Sequence, residues 1–321
     1  MNELSSSSRH SMSTRIITAI VIALVGFPST IFGTWYFFAV IMFLAIVGIH
    51  EFVKAPNKNR YNIFIYIVAY SFVLSFILWQ FIKPYLLAIQ VGEHSFFLNM
   101  ETVNFSTVGI ITYFLFLFIV CLFTEKFTVQ DASYLFTIGI YFAIAISALL
   151  FLRYYPCQDK FYGWNNPQSS LLFFYVLTGT YMTDIGAYFV GVFFGKHKMA
   201  PRISPHKTWE GFAGGVVFSV IFSFGFAAVC NSLGAPLLKG YLDFDGNSWW
   251  WILLLSLIMP LCANFGDLIF SAIKRTYAIK DFGRIFPGHG GVLDRIDSLS
   301  FSCACVAVLI IFICHNWNFL A

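Results

Sequence analysis

The fold class that this sequence predicts is an all-α, polytopic integral membrane protein with about nine transmembrane helices and a cytoplasmic N-terminus. Composition, the length of the apolar runs and the placement of positive charge predict it. Of 321 residues, 59% are hydrophobic, 20% aromatic and only 11% charged, against roughly 25% charged in an ordinary soluble domain. Mean hydropathy is +0.78. A water-soluble fold has too little interior to hide that much apolar surface. This excludes a secreted disulfide scaffold, a disordered regulator and a nucleic-acid-binding domain. The apolar residues run unbroken and do not alternate in ten-residue strands, which excludes a membrane β-barrel. Seven cysteines lie mostly within these runs without paired C-x-x-C spacing, and they read as small buried hydrophobes.

Taken in order, the apolar runs place helices at 16–31, 34–53, 61–83, 106–124, 133–152, 170–195, 211–231, 249–273 and 300–320. Helices are what the bilayer demands, because a spanning segment must satisfy its backbone hydrogen bonds within itself. An odd number of spans puts the termini on opposite sides. Fifteen of the 19 Lys and Arg then fall in the N-terminal tail and in loops 2–3, 4–5, 6–7 and 8–9, leaving only Lys83, Arg153, Lys160 and Lys239 for the other side. By the positive-inside rule the richer side is cytoplasmic. The expected organisation is a cytoplasmic tail (1–15), N-terminal helices that serve structure and oligomerisation (16–169), and a catalytic C-terminal region (170–321). No stretch outside the spans is long enough for a separate soluble domain.

Chemistry concentrates in the second half. Asn264, Asp267, Ser271 and Lys274 stand at i, i+3, i+7 and i+10, one stripe of a helix. Asn and Ser alone would read as interhelical glue. Asp267 is different, since an ionisable group two turns inside a membrane helix costs a few kcal/mol unless it is paired or faces a polar cavity. After the stripe come Lys274-Arg275, Lys280-Asp281-Phe282-Gly283, Pro287-Gly288-His289-Gly290-Gly291 and Asp294-Arg295-Ile296-Asp297. Membrane-edge anchoring would account for the cations, but not for the glycines or carboxylates among them. Glycines let a backbone approach a ligand and offer N–H groups to phosphate oxygens. Lys and Arg supply matching charge, and Asp is the usual protein ligand of magnesium beside a phosphate.

Asp184 lies eleven residues inside the end of the sixth span, about 16 Å at helical rise, and needs a partner or a polar cavity. Gly191 and Gly195 beyond it read as a helix-packing G-x-x-x-G. Loop 6–7 adds Lys196, Lys198, Arg202 and Ser204-Pro-His-Lys-Thr-Trp-Glu-Gly211, a second basic segment on the same side. Walker A, dinucleotide, zincin and serine-hydrolase motifs are absent from the sequence, so those chemistries lack support. The residues point to a membrane-embedded site for polyphosphate and divalent metal, open to the cytoplasm.

The run from Ser271 to Asp297 resembles the signature of the CDP-diacylglycerol synthases, or phosphatidate cytidylyltransferases, in its S-x-x-K-R, K-D-x-G, P-G-H-G-G and D-R-x-D elements. Thr183-Asp-Ile-Gly-Ala-Tyr188 and Ser204–Gly211 resemble further blocks of that family, so the likeness covers roughly 170–299. It implies transfer of CMP from CTP to phosphatidic acid, giving CDP-diacylglycerol and pyrophosphate. The reaction would depend on magnesium, with a second monovalent or divalent cation a further expectation. It implies Asp267 and Asp294 as metal ligands, and Lys274, Lys280 and Arg295 as catalytic cations. Asp184, Lys207, Ser271, Arg275, His289, Gly290 and Gly291 would contact substrate. A homodimer in the bilayer is expected, in the bacterial cytoplasmic membrane or, in a eukaryote, the endoplasmic reticulum. The rival readings are a CTP-dependent lipid kinase of the dolichol-kinase kind, which is not expected to carry the complete signature, and a secondary transporter. Transporters usually show broken helices in both halves, a feature missing from the first half here.

Overall fold

The structure, a computed structural model, describes residues 6–56, 61–89, 105–125, 127–154, 167–246 and 248–314. Among them are nine helices: α1 (Ser6–Phe32), α2 (Thr34–Lys54), α3 (Ile63–Ile89), α4 (Phe105–Phe123), α5 (Val129–Tyr154), α6 (Pro167–Phe194), α7 (Trp209–Ser232), α8 (Trp249–Thr276) and α9 (Leu293–Cys314). Seven are long and apolar enough to cross a membrane, and α4 adds a shorter apolar helix. α6 has the length, 28 residues, but Thr178, Thr180, Thr183 and Asp184 dilute its apolar character. The protein is a multi-pass integral membrane protein.

Two helix starts and one loop differ most from the sequence expectation. α1 is already helical from Ser6, so its polar first turns extend the apolar span. α9 begins at Leu293, not at 300, so Asp294-Arg-Ile-Asp297 forms its first turn and not a loop. Charged residues at a helix start hide it from a hydropathy reading, although an acidic first turn suits the helix dipole. Residues 315–320 of the expected ninth span, loop 3–4 between 90 and 104, and Cys157 lie outside the described residues. The third difference is a two-stranded antiparallel hairpin, β1 (Lys198–Ala200) and β2 (Ser204–Thr208), in what reads as a plain basic loop. Cys314 also departs from the buried-hydrophobe reading, because it is disulfide-bonded. Such pairing depends on which helix ends meet in space, which local spacing does not reveal.

The chain divides into two compact units, Met1–Phe38 with Ala148–Ala321, and Ala39–Ser147. The smaller one is bound by aromatic packing: Tyr113 stacks on Phe72 with ring centroids 4.2 Å apart and donates to the Leu135 carbonyl. Its α5 is capped by Thr128, whose backbone N–H and hydroxyl both donate to Asp131.

In the larger unit α6 and α7 approach closely, since a Cβ at Gly215 would lie 2.8 Å from the Thr183 carbonyl oxygen. Gly191 sits against Thr208 and Gly211, which fulfils the packing reading of the G-x-x-x-G. Pro260 inside α8 has no N–H to offer the Ser256 carbonyl, and the Ser219 hydroxyl of α7 donates to that oxygen instead. Tyr175, Ser223 and Ser256 continue this buried hydroxyl network across α6, α7 and α8. Arg153 is fully buried at the end of α5 and donates to the Thr30 and Ile31 carbonyls and to Ser169. Its charge thus lies on the last turn of α1, where the helix dipole is negative. α6, α7, α8 and α9 run alternately up and down, so the end of α6, the hairpin, the end of α8 and the start of α9 converge at one end of this unit.

Candidate active site

The polar stripe of α8 is the floor of that convergence. Asn264 is buried and donates from its amide to the Pro260 carbonyl. Three residues on, the Asp267 carboxylate accepts from the Ser271 hydroxyl at 3.2 Å. β2 delivers Lys207 to the same stripe: its Nζ lies 2.7 Å from Asp267 Oδ2 and 3.4 Å from Asn264 Oδ1. The hairpin is oriented for this at its base. Trp209 N–H closes it onto the His197 carbonyl, and the Glu210 carboxylate accepts from the Lys196 and His197 amides and pairs with the His197 ring at 2.6 Å. Thr208 then caps α7 by accepting from the Gly211 N–H.

A second lysine–aspartate pair follows about two turns along α8 from Asp267. Lys274 Nζ lies 2.8 Å from Asp294 Oδ1, and both side chains are largely buried. The other oxygen of Asp294 accepts two backbone amides, Phe282 N–H at 2.9 Å and Gly291 N–H at 3.0 Å. One carboxylate therefore ties the end of α8, the signature loop and the start of α9 together. Gly290 has φ +88°, and a Cβ there would lie 3.1 Å from Asp294 Oδ2, so glycine is needed both for the turn and for the approach. Close contact of α8 with α9 rests on Gly266, where a Cβ would lie 2.6 Å from the Asp297 carbonyl oxygen.

The remaining expected residues fall around these pairs. Asp184 is exposed on α6, within electrostatic range of Asp267, Lys207 and Arg295. Tyr181, Ile185 and Tyr188 are exposed beside it, so this flank of the site faces apolar surroundings. Lys280 and Arg295 are exposed. Arg275 lies on the hairpin and donates to the Ile203 carbonyl. His289 has a buried Nδ1 with no hydrogen-bond partner. Asp297 is missing from the residue set read from the sequence, yet it shares the electrostatic environment of Asp267, Lys274 and Asp184. Its place in the D-R-x-D element was the available signal. The Phe282 amide carries no signal in the sequence, and the Gly291 N–H, expected to face phosphate, donates to Asp294 instead.

Among the described residues no three His, Cys, Asp or Glu side chains are grouped tightly enough to hold a metal ion by themselves. The donor chemistry nevertheless fits magnesium, which prefers carboxylate oxygen and completes its shell with water and substrate phosphate. Asp267 and Asp294 each already hold a cation, an ammonium group, at contact distance.

Two carboxylate–lysine pairs, a glycine-turned loop and a flank open to apolar surroundings define a class: a membrane-embedded enzyme that handles phosphate groups. The sequence pattern of the Cytidylyltransferase family matches residues 13–313, and the chain belongs to this family. It is 30% identical over 296 residues to the phosphatidate cytidylyltransferase of Bacillus subtilis (strain 168), covering 90% of this chain and 94% of that protein. Shorter stretches are closer. Over 139 residues it is 44% identical to the phosphatidate cytidylyltransferase of Staphylococcus aureus (strain COL), covering 43% of this chain and 48% of that one. Over 126 residues it is 41% identical to the Mycobacterium leprae (strain TN) protein of the same name, covering 39% and 36%.

Proposed function

We propose that the protein transfers CMP from CTP to phosphatidic acid at the cytoplasmic face of its membrane, releasing pyrophosphate. The observation that carries this reading is the double pairing, Lys207 with Asp267 and Lys274 with Asp294, on one stripe of a membrane helix. A phosphatidate oxygen attacks the α-phosphorus of CTP, a new P–O bond forms, and the bond to the β-phosphate oxygen breaks with its electron pair leaving on pyrophosphate. Both reactants are anions, so the protein's work is neutralisation and alignment.

When nucleotide enters, Lys207 and Lys274 exchange carboxylate for phosphate oxygens, joined by exposed Lys280 and Arg295. Asp267 and Asp294, released from their lysines, would hold magnesium, which when bound neutralises phosphate charge and polarises the α-phosphorus. Ser271 keeps Asp267 oriented, and Asp294 meanwhile holds the loop through Phe282 and Gly291. Gly290 and His289 shape the wall of the site, with Arg275 holding the hairpin that carries Lys207. The apolar flank beside Asp184 admits the lipid.

The charge asymmetry across the spans supports a cytoplasmic site. The disulfide of Cys314, at the far end of α9, supports it too, since disulfides persist on the oxidising side of a membrane. The homodimer implied by the family resemblance belongs to the same reading.

The test is incubation of purified protein with CTP, phosphatidate and magnesium. CDP-diacylglycerol and pyrophosphate should appear in equal amounts. Release of CDP with a phosphorylated lipid would make the protein a kinase and overturn the reading.

A further inference from the structure

α1 reaches the signature loop. The Thr18 hydroxyl is buried and is shared between the Thr14 carbonyl of its own helix at 2.8 Å and the Pro287 carbonyl of the loop at 3.0 Å. One helical turn before it, Arg15 lies across Gly288. A Cβ at Gly288, whose φ is +74°, would come within 2.8 Å of Arg15 Cγ and 3.7 Å of Arg15 Cα. Residues three apart share a helix face, so Thr18 and Arg15 meet the glycine turn together from one side of α1. Arg15 is exposed, and its guanidinium makes no hydrogen bond or ion pair among the described residues. On the loop itself, His289 Nδ1 is buried without a partner. Next to Arg15 begins a wholly apolar exposed face, Ile16, Ile17, Ile20, Val21 and Leu24. An arginine at the end of such a face stands where hydrocarbon gives way to headgroup.

We propose that Arg15 binds the phosphate of the lipid substrate as it enters the site, with the apolar face of α1 running alongside its acyl chains. The proposal rests on the functional reading above. A guanidinium offers a planar fork of donors to a phosphomonoester, and this one is free, adjacent to the P-G-H-G-G turn and at the lipid margin. CTP, which arrives from water, has no use for a cation placed against hydrocarbon.

The experiment compares Arg15→Gln and Arg15→Lys with the unmodified enzyme in mixed micelles, varying CTP and the surface fraction of phosphatidate separately. For Arg15→Gln the KM for phosphatidate should rise roughly tenfold or more, the loss expected for a charge-assisted contact to phosphate, while the KM for CTP stays within about twofold. Arg15→Lys should recover part of the loss. A rise in the KM for CTP, or a fall in kcat with both KM values unchanged, overturns the proposal. A second readout needs no turnover: phosphatidate micelles should raise the Tm of the unmodified protein by more than that of Arg15→Gln. Equal protection overturns the role of Arg15. If the unmodified protein shows this protection but makes no CDP-diacylglycerol, the reading of the reaction fails while that of Arg15 stands.

Discussion

Asp267 and Asp294 look alike in sequence, each a carboxylate paired with a lysine, and the structure separates their duties. Asp267 is about a third exposed and is held only by side chains. Asp294 is 5% exposed and also accepts two backbone amides. Asp267→Asn should therefore leave thermal unfolding in detergent nearly unchanged and cut turnover by about a hundredfold or more, since a metal clamp contributes several kcal/mol and each 1.4 kcal/mol is tenfold. Raising magnesium should restore part of that activity by mass action. A stable, fully active Asp267→Asn enzyme would return the residue to helix packing. Asp294→Asn should abolish turnover and lower the Tm as well, because an amide cannot accept from Lys274 and two N–H groups at once. Breaking a buried pair costs about 3–5 kcal/mol. An unchanged Tm would show that the loop does not depend on this carboxylate.

At the scale of elements, the α8 stripe was legible because four polar residues at helical spacing in an apolar run have few explanations. Asp267 in particular could not be lipid-facing. The start of α9 was not legible, since Asp294, Arg295 and Asp297 make its first turn look like more loop. Nor was the hairpin, whose strands of three and five residues are too short for alternation to register. Its existence decides where Lys207 goes, so the most consequential residue of loop 6–7 could be listed from sequence but not placed. Helix contact could be inferred at Gly191 and Gly195, whereas Gly266 stood out only once α9 was seen against it. Gly266→Val should force α8 and α9 apart, at a cost of about 1–3 kcal/mol for overpacking. A lowered Tm and reduced activity, with KM for both substrates less affected than kcat, are the expected signs. Normal kinetics would mean that the helices can part without disturbing the site.

Across the whole molecule, hydropathy found nine helices because the bilayer leaves so few alternatives, but long-range docking left no trace in local pattern. Arg153 illustrates this: assigned by sequence to an extracytoplasmic loop end, it is in fact buried on the carbonyls of α1. Sidedness gives a prediction at this scale. In a background lacking the native free thiols, a cysteine beside Lys280 should react with a membrane-impermeant reagent only from the cytoplasmic face, and one beside Lys239 only from the other. Labelling of both from one side would break the topology around α8.

The anchoring of α1 bears on how the protein is made. Its two clamps lie far along the chain: Arg153 stands 123 residues after Thr30, and Pro287 stands 269 residues after Thr18. At ordinary rates of synthesis the second interval is on the order of tens of seconds. Throughout it α1 waits in the bilayer without its contact to the signature loop. No ionisable side chain lies between Arg15 and the end of α1, so the helix can rest in lipid for that time at no electrostatic cost. The nascent chain thus has its lipid-facing α1 long before the signature loop that α1 touches. A chain that stops short of Pro287 leaves the Thr18 end of α1 without its contact to the signature loop, while the Arg153 clamp at the other end of the helix can already be made.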